Sequence, residues 1–548
     1  MAKEAVASNP SGAISSIEAE REFERLAREI ERARRFIRER DEQIVELEAQ
    51  VHELSLDLSA SRQELGRILN SRSYRLARKL QAAYGRSAFL RRIANTPGAA
   101  RLLGIRPPAL ASSGNMLDDK VRQLVRASGL FDENFYRKHY EAYIRISDDL
   151  VADFMTCDPA QMRDPGPLFS TRFYLSTHAD VAASGMNPLA HFVCRGAREG
   201  RLAFSPERVR SFLSRVDTSA VHSAFDIVPR GSKVTVLCAE NGNFFFYDIA
   251  EYVAELFTQQ GCPAQVFADL PPGVDPSTDV VVVVAPHEFF VIGPGRSWEP
   301  ERIAQVAHVN TEQWQTPWFA KCFYHLTSSA RGVFDINPNS AAGLVQLGAK
   351  AAFLPIVPQE GSVFEQKRMP VTPELTKLKY IRPLDYPEDI LDRVYDIAYV
   401  AVANPRRNKA LADLAPHIAP YRNFIHTPRF SRPITRDDPD MLGGRDLTQI
   451  ARNAKILLNI HRDHVGYLEW HRIFLYGVMN GCVVVTEPCF ANDHILDGRN
   501  YVSASLSEMP ALLKELLETD SGRKRLREIS ANNMALARSL DAGNGFLR

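Results

Sequence analysis

Residues 451–488 constrain the fold of this chain more than any other stretch. Two apolar runs of strand length, 456–460 and the valine-rich 482–486, flank a segment with helical spacing at 468–480. Gly481 follows that segment, where a left-handed residue commonly ends a helix. We therefore predict a βαβ unit with a right-handed crossover.

Polar residues crowd the loops that follow these two strands. In an open parallel sheet, ligands bind outside the carboxyl ends of the strands, and both loops lie at that edge. We therefore predict a ligand site here; the alternative is that the same side chains only solvate a surface loop and cap a helix. The residues concerned are Asn459, His461, Arg462, Asp463 and His464 after the first strand and Glu487 after the second.

Length and composition place the chain in a broad class. With 548 residues it should hold several domains, and a formal net charge of +1 gives no overall field for nucleic acid. The 7 cysteines are scattered without a CxxC pair, which predicts a reducing, cytoplasmic compartment and no zinc site. The N-terminus is polar and no apolar run reaches about 18 residues, so neither a signal peptide nor a membrane span is predicted.

A heptad pattern follows a small polar segment, residues 1–16, that we predict to be disordered. Over residues 17–70, apolar residues such as Ile37 and Leu47 recur in one register, which favours a parallel two-stranded coiled coil and a homodimer. Arg40 and Ser61 weaken the seam. The alternative is a single amphipathic helix that docks on the rest of the chain.

Residues 71–117 form a basic amphipathic segment and a linker. Between Gly66 and Met116 the chain has ten Lys or Arg and no Asp or Glu, interleaved with Leu and aromatic residues. This pattern suits peripheral contact with an anionic inner-membrane surface. A solvated basic face and an acidic protein partner are the alternatives.

Residues 118–206 contain a degenerate repeat. The sequence FDENFY at 131–136 recurs as FSTRFY at 169–174, and Asp153 and His191 keep the same offset. Such units bury their aromatic residues against their neighbours. The second copy is similar to a helical module found beside bacterial sugar transferases, and we interpret His191 and Arg201 as structural residues.

Two α/β segments follow. Strand-like runs at 233–239 and 279–285 predict an N-terminal Rossmann-like domain over 231–358, and 396–403 opens a C-terminal one over 395–548, after a connector at 359–394. The predicted fold class is thus α/β, with two tandem Rossmann-like domains. No GxGxxG, P-loop, HExxH or GxSxG motif occurs, which disfavours redox, P-loop and common hydrolase chemistry.

The first loop of the C-terminal domain is cationic. Arg406, Arg407 and Lys409 lie where a strand ends and a helix begins. Guanidinium pairing and helix N-terminal amides together would bind a diphosphate. The alternative is that these cations are solvent-exposed helix residues.

Several stretches of the last 150 residues carry a family resemblance. DIAYV at 396–400 with PRR at 405–407, KILLNIH at 455–461, and EWHRIF at 469–474 with NGCVVVTE at 480–487 resemble the C-terminal half of GT-B glycosyltransferases. The most similar are bacterial group-1 relatives that include spore-coat and polysaccharide transferases. The resemblance extends over residues 231–548 and implies that a nucleotide-sugar binds the C-terminal domain and the acceptor the N-terminal one.

The same resemblance implies roles for single residues. It assigns the diphosphate to Arg406 and Lys409, the nucleoside or sugar pocket to Asn459, His461, Glu469 and Arg472, and sugar or ribose hydroxyls to Glu487. Two positions depart from the family. Where relatives have a second glutamate, eight residues after Glu469, this chain has Gly477, and where others have Arg-x-Phe-Glu it has Leu475.

Candidates for a general base end strands of the N-terminal domain: His287, Glu288 and Glu312. A histidine or carboxylate there could accept a proton from an acceptor hydroxyl. Asp438 and Asp440 resemble a metal-binding DxD, but we interpret them as part of a turn, and we expect no metal or cofactor besides the nucleotide-sugar.

The sequence thus predicts a glycosyltransferase that moves a sugar from a nucleotide-sugar to a cell-surface polysaccharide, a lipid-linked glycan or a protein. The departures at Leu475 and Gly477 motivate the alternative, a catalytically inactive sugar-binding or scaffold protein in a glycan-assembly complex.

Overall fold

The computed structural model describes residues 110–146, 148–157, 161–355, 387–429, 438, 441–469, 471–490 and 495–541. The predicted disordered segment 1–16, the coiled coil 17–70, most of the basic segment 71–117 and most of the connector 359–394 lie outside these residues. No helix of the described part is both long and apolar enough to cross a membrane.

A helical region comes first. Its helices are Leu110–Ala127 (α1), Glu133–Tyr140 (α2), Leu150–Thr156 (α3), Thr171–Thr177 (α4), Ala179–Ser184 (α5), Pro188–His191 (α6), Ala197–Glu199 (α7), Pro206–Leu213 (α8) and Ala224–Ile227 (α9). A π-helical turn, Phe192–Gly196, joins α6 to α7.

The repeat in this region is visible as equivalent hydrogen bonds. Tyr136 Oη donates to Asp153 Oδ2 over 2.9 Å, and 38 residues later Tyr174 Oη bonds His191 Nδ1 over 2.9 Å. Because both tyrosines are fully buried, each bond satisfies a polar group inside its unit. Arg201 forms a two-pronged ion pair with Asp180, so His191 and Arg201 both have structural partners.

The first α/β domain is a six-stranded, wholly parallel sheet in the order β2-β1-β3-β4-β5-β6. Its strands are Val234–Leu237 (β1), Ala264–Phe267 (β2), Val280–Val284 (β3), Ala307–Asn310 (β4), Val333–Asp335 (β5) and Ala351–Phe353 (β6). Its helices are Phe244–Gln259 (α10), Pro286–Phe289 (α11), Pro300–Ala304 (α12), Pro317–Thr327 (α13) and Pro338–Gln346 (α14). Pro300 starts the short helix α12, so β4 begins only at Ala307.

The second α/β domain is a five-stranded parallel sheet in the order β11-β10-β9-β7-β8. Its strands are Tyr395–Val400 (β7), Asn423–His426 (β8), Ala454–Asn459 (β9), Val483–Thr486 (β10) and Tyr501–Ser503 (β11). Its helices are Pro405–Ile418 (α15), Gly444–Arg452 (α16), Met509–Glu518 (α17) and Asp520–Asp541 (α18). The predicted fold class, α/β with two parallel sheets, is confirmed.

The βαβ unit of 451–488 forms as predicted, with β9 and β10 parallel neighbours. Its connecting helix differs from the prediction. Instead of a regular helix over 468–480, the chain has a π-helical segment, His471–Gly477, followed by the 3₁₀ turn Val478–Asn480. Gly481 then takes the expected left-handed conformation, with a φ of 61°.

The helical region packs against the first α/β domain through its helix α13. Phe192 and Phe204 contact Phe323 of α13, with ring centroids 5.5 and 6.0 Å apart. The same apolar core also takes Tyr467 and Phe490 from the second domain. Burial of these large rings stabilises the association of all three parts of the chain.

Candidate functional site

The strand orders locate the place where a ligand would bind. In both sheets the chain changes winding direction beside its first strand, between β1 and β3 in the first sheet and between β7 and β9 in the second. Such a switch point opens a crevice at the carboxyl ends of the strands, where ligands of doubly wound sheets bind. The predicted site residues whose side chains are described lie at or near one of these two edges.

The two edges share one apolar cavity of about 220 Å³. The first domain contributes Phe246, Thr311 and Ile336, and the second contributes Val402 and Asn459 among other residues. A wall drawn from both sheets means that a ligand inside would contact both domains at once.

The loop of residues 460–469 ties the second domain to the first. Tyr467 Oη accepts a hydrogen bond from Trp314 N over 3.0 Å, and Asn337 Nδ2 donates to the carbonyl of Leu468 over 3.1 Å. Gln315 Nε2 also donates to Asp463 over 2.5 Å. Sequence reasoning did not identify these contacts, because partners more than a hundred residues apart leave no local pattern.

Arg406 stands at the start of α15, where Asn404 caps the helix by accepting from Arg407 N over 2.8 Å. The Arg406 guanidinium makes two hydrogen bonds to Glu487, of 2.5 and 2.9 Å, and one of 2.7 Å to the carbonyl of His461. Burial alone would raise the pKa of Glu487, but hydrogen bonds from Arg406 and the backbone of His461 lower it. The three predicted residues thus form one cluster with fixed charges.

Arg407 points the other way, into the domain. It is 4% exposed, donates to the carbonyl of Ile460 over 2.9 Å and pairs with Glu469 over 3.2 Å. A buried pair of this kind fixes the loop after β9 against α15. Arg407 and Glu469 therefore pair with each other inside the domain, and donor binding by them stays a prediction.

Three further predicted donor residues have different surroundings. Asn459 is buried, and its Nδ2 donates to Thr486 Oγ1 over 3.0 Å while its Oδ1 has no partner among the described residues. Lys409 is exposed and pairs with no described residue. Arg472 lies within the π-helical segment His471–Gly477, but its side chain is outside the described part, so its role stays a prediction.

Glu288 is the most unusual acid of the first edge. It is 5% exposed and accepts hydrogen bonds from the backbone and side-chain nitrogens of Asn243. Burial raises its pKa to about 7. A Cβ at position 242 would lie 2.0 Å from the Glu288 carboxylate, so only glycine allows Asn243 to approach it this closely.

His287 and Glu312 form a second pair at the same edge. His287 Nε2 lies 3.9 Å from Glu312 Oε1, and its Nδ1 is buried without a partner among the described residues. Burial lowers the pKa of His287, so the ring is neutral near neutral pH. Ala285, with a φ of 50°, turns the chain between β3 and these side chains and is a strained non-glycine position.

The sequence did not identify Asp335, which ends β5 close to these residues. Asp335 is 2% exposed and accepts from Asn310, Ser340 and the backbone of Asn337 over 2.5–2.8 Å. Burial raises its pKa to about 7. A pattern that could have found it is the aspartate directly after a short buried run and before an Asn-Pro helix start.

No cluster of three or more metal-binding side chains exists among the described residues. Of the DxD-like pair, Asp440 lies outside the described part. Asp438 is buried, and its carbonyl accepts from Met441 N over 3.1 Å, as expected for a turn. Leu475, one of the two departures, lies on the wall of the shared cavity.

No family model and no curated protein matches the chain. Among the solved structures similar to it is HepE of Anabaena in complex with UDP, 10% identical over 56% of this chain and 94% of that chain, with a TM-score of 0.32. Another is an alpha1,3-fucosyltransferase with GDP, 9% identical over 63% of this chain and 98% of that chain, with a TM-score of 0.28. The glycotransferase of kitacinnamycin is 10% identical over 58% of this chain and 98% of that chain, with a TM-score of 0.24. At these low TM-scores the fold class rests on the two sheets of the chain itself.

Proposed function

We propose that this chain is a glycosyltransferase that moves a sugar from a nucleotide-sugar to a glycan, a lipid-linked glycan or a protein. The observation that carries the proposal is the cavity lined by both switch points, with Thr311 and Ile336 on one side and Val402 and Asn459 on the other. A transfer reaction needs two substrates held together, and a cleft between two such edges does this.

The donor would bind the second edge. The exposed Lys409 ammonium and the amides at the start of α15 would attract its diphosphate. Arg406, held by Glu487, supplies a guanidinium that needs no rearrangement as charge develops on the leaving diphosphate. The unpartnered Asn459 Oδ1 would accept a hydrogen bond from the nucleoside or sugar.

The acceptor would bind the first edge, with His287 taking the proton from its hydroxyl. Because burial lowers its pKa, the ring is unprotonated and able to accept. Glu312, 3.9 Å away, would then stabilise the imidazolium, as a carboxylate does beside a catalytic histidine. Glu288 would hold a proton of its own near neutral pH.

A second candidate function is a sugar-binding or scaffold protein without activity. Leu475 favours it, because an apolar side chain occupies the cavity wall where relatives have a carboxylate. The Arg406–Glu487 pair also favours it, since that guanidinium already has a partner.

Turnover separates the two functions. The chain is incubated with UDP-, GDP- and dTDP-sugars, and released nucleotide is measured for the wild type, His287→Ala and the matched surface variant Arg422→Ala. The enzyme predicts release that His287→Ala reduces by about 10²-fold or more, with Arg422→Ala unchanged. If no donor releases nucleotide and no nucleotide binds, the enzyme is contradicted and the scaffold function is favoured.

We further propose that residues 17–70 make a homodimer. Deletion of residues 1–70 should convert a dimer to a monomer in light scattering, and an unchanged mass would contradict this.

We also propose that the ten cations between residues 66 and 116 hold the chain at an anionic membrane surface, at about 1 kcal/mol per cation. Co-sedimentation of the full chain with anionic vesicles, lost in high salt, supports it, and no sedimentation at low salt refutes it.

A further inference from the structure

A second cavity lies on the carboxyl edge of the first sheet, away from the shared cleft. Its volume is about 420 Å³, within the range of about 300–1,000 Å³ that is usual for small-ligand sites. None of the predicted site residues lines it. Its lining includes the side chains of Asp269, Ser297, Trp298 and Arg302.

This cavity is close to the switch point of the first sheet. Asp269 follows β2, which pairs with β1 up to the partners Leu237 and Phe267. Since neighbouring strands are about 4.8 Å apart, the end of β2 lies roughly one strand spacing from β1 and two from β3. Asn241 Nδ2 donates to the carbonyl of Ile292 over 2.9 Å and so joins the loop after β1 to the segment that follows α11.

One segment of chain runs from the candidate base to this cavity. It leaves β3, carries Glu288 in α11, and ten residues later reaches Trp298. Phe289 and Phe290 pack edge-on against the Trp298 ring, with centroids 5.6 and 5.9 Å away. The indole is therefore held in place by the buried residues next to Glu288.

Trp298 and Arg302 line the cavity and carry hydrogen-bond donors. The Arg302 guanidinium lies over the Trp298 ring, 4.2 Å from its centroid. Neither this guanidinium nor the indole N–H donates to any described residue. Asp269 and Ser297 are exposed beside them and supply acceptors.

An aromatic ring beside a guanidinium, a carboxylate and a hydroxyl matches the chemistry of sugars. Sugar hydroxyls both donate and accept hydrogen bonds, and a planar guanidinium held over an indole ring can bond neighbouring hydroxyls or a uronic-acid carboxylate. We propose that this cavity is a subsite for the acceptor's sugar chain, so that the acceptor is an oligosaccharide or polysaccharide whose far residues bind Arg302 and Trp298. This subsite deepens the proposed function and rests on it, because only a transferase has an acceptor.

The test measures oligosaccharide binding by the full chain. Wild type, Trp298→Ala, Arg302→Ala and Arg296→Ala are applied to an array of neutral and uronic-acid-containing glycans, from monosaccharides to longer chains. Arg296 is the matched control, because it is an exposed cation on the same segment that does not line the cavity. We expect wild type to bind longer glycans, with affinity lost roughly tenfold in Trp298→Ala and Arg302→Ala and unchanged in Arg296→Ala.

Absence of glycan binding by the wild type overturns the proposal, and so does binding that persists unchanged in both cavity variants. Should Trp298→Ala fail to fold, the exposed Arg302→Ala carries the comparison alone. A nucleotide titration on the same samples separates the two proposals. Glycan binding without nucleotide binding contradicts only the transferase, and nucleotide binding without glycan binding contradicts only the subsite.

Discussion

The two carboxyl edges that face each other hold their charges in opposite ways. At the second edge, acids are neutralised by cations, in the pairs Arg406–Glu487 and Arg407–Glu469. At the first edge, Glu288 and Asp335 are buried against amide and hydroxyl donors, and burial raises the pKa of each to about 7. One edge therefore has fixed charges, and the other has groups that exchange protons near neutral pH.

This difference corresponds to the two tasks of the proposed reaction. A diphosphate needs preorganised positive charge that does not depend on pH, whereas deprotonation of a hydroxyl needs an unprotonated base, which burial provides at the first edge by lowering the pKa of His287. The predictions below test whether each edge behaves as its partners imply.

The largest effect is expected from the buried ion pair of the second edge. Arg407→Met should lower the free energy of unfolding by about 3–5 kcal/mol, because it removes a buried ion pair with Glu469 and a buried hydrogen bond to the carbonyl of Ile460. Urea unfolding measures it. The control is Arg422→Met, whose guanidinium is itself largely exposed and pairs with Asp396, which keeps Lys455 as a second partner. This variant should change stability by no more than about 1 kcal/mol. Equal effects of the two variants would show that the Arg407 pair is not buried as described.

The next effect concerns the pH dependence of the first edge. Because the folded pKa of Glu288 is raised to about 7, its proton stabilises the folded state at low pH, and that contribution is lost as pH rises from the ordinary glutamate pKa towards about 7. The loss should be on the order of 2–3 kcal/mol.

The measurement is the difference in unfolding free energy between wild type and Glu288→Gln from about pH 4 to about pH 8. Subtracting the two curves leaves the contribution of Glu288, because the other titrating groups are present in both proteins. Burial lowers the pKa of His287 and of His308, so without the subtraction their opposite pH dependence would mask that of Glu288. A difference that does not vary with pH would mean that Glu288 titrates like an exposed acid.

The third effect tests the contact that buries Glu288. Gly242→Ala places a methyl group 2.0 Å from the carboxylate and should cost about 1–3 kcal/mol of stability together with most sugar transfer. Gly443→Ala is the matched control, since its nearest neighbour would lie at an ordinary 3.8 Å. Thermal unfolding and turnover of both variants give the comparison, and a Gly242→Ala variant as stable and active as Gly443→Ala would contradict the described contact.

The smallest effect on stability is expected at Lys409. Because Lys409 is exposed and unpaired with any described residue, Lys409→Ala should leave the unfolding free energy within about 0.5 kcal/mol. It should nevertheless weaken nucleoside diphosphate binding roughly tenfold, since a charge-assisted contact is lost. Calorimetric titration checks this, and an unchanged affinity for nucleoside diphosphate would contradict a role for Lys409 in donor binding.

The sequence predicted the architecture better than the site. The valine run of β3 and the βαβ unit at 451–488 are local patterns, so the parallel sheets and their carboxyl edges followed from them. The orientation of two adjacent arginines did not. Arg406 faces Glu487 and Arg407 faces Glu469, and this depends on the rotation of α15 about its axis, which the contacts of the whole domain determine.

Burial was also hard to read from the chain. His287, Glu288 and Glu312 were predicted at the first edge from their positions after strands, but the lowered pKa of His287 and the raised pKa of Glu288 come from packing. Asp335 escaped notice, because its partners Asn310 and Ser340 lie on other elements. Polar residues held by distant donors leave no periodic signal.

The central claim is that the second edge holds a diphosphate opposite the proton-exchanging groups of the first edge. The most direct test is a structure of the full chain with saturating nucleoside diphosphate. The account predicts the diphosphate at the start of α15, within hydrogen-bond distance of Lys409 Nζ and the backbone N–H of Arg406, with the nucleoside beside Asn459. A nucleotide bound elsewhere, or no bound nucleotide at saturating concentration, would contradict it.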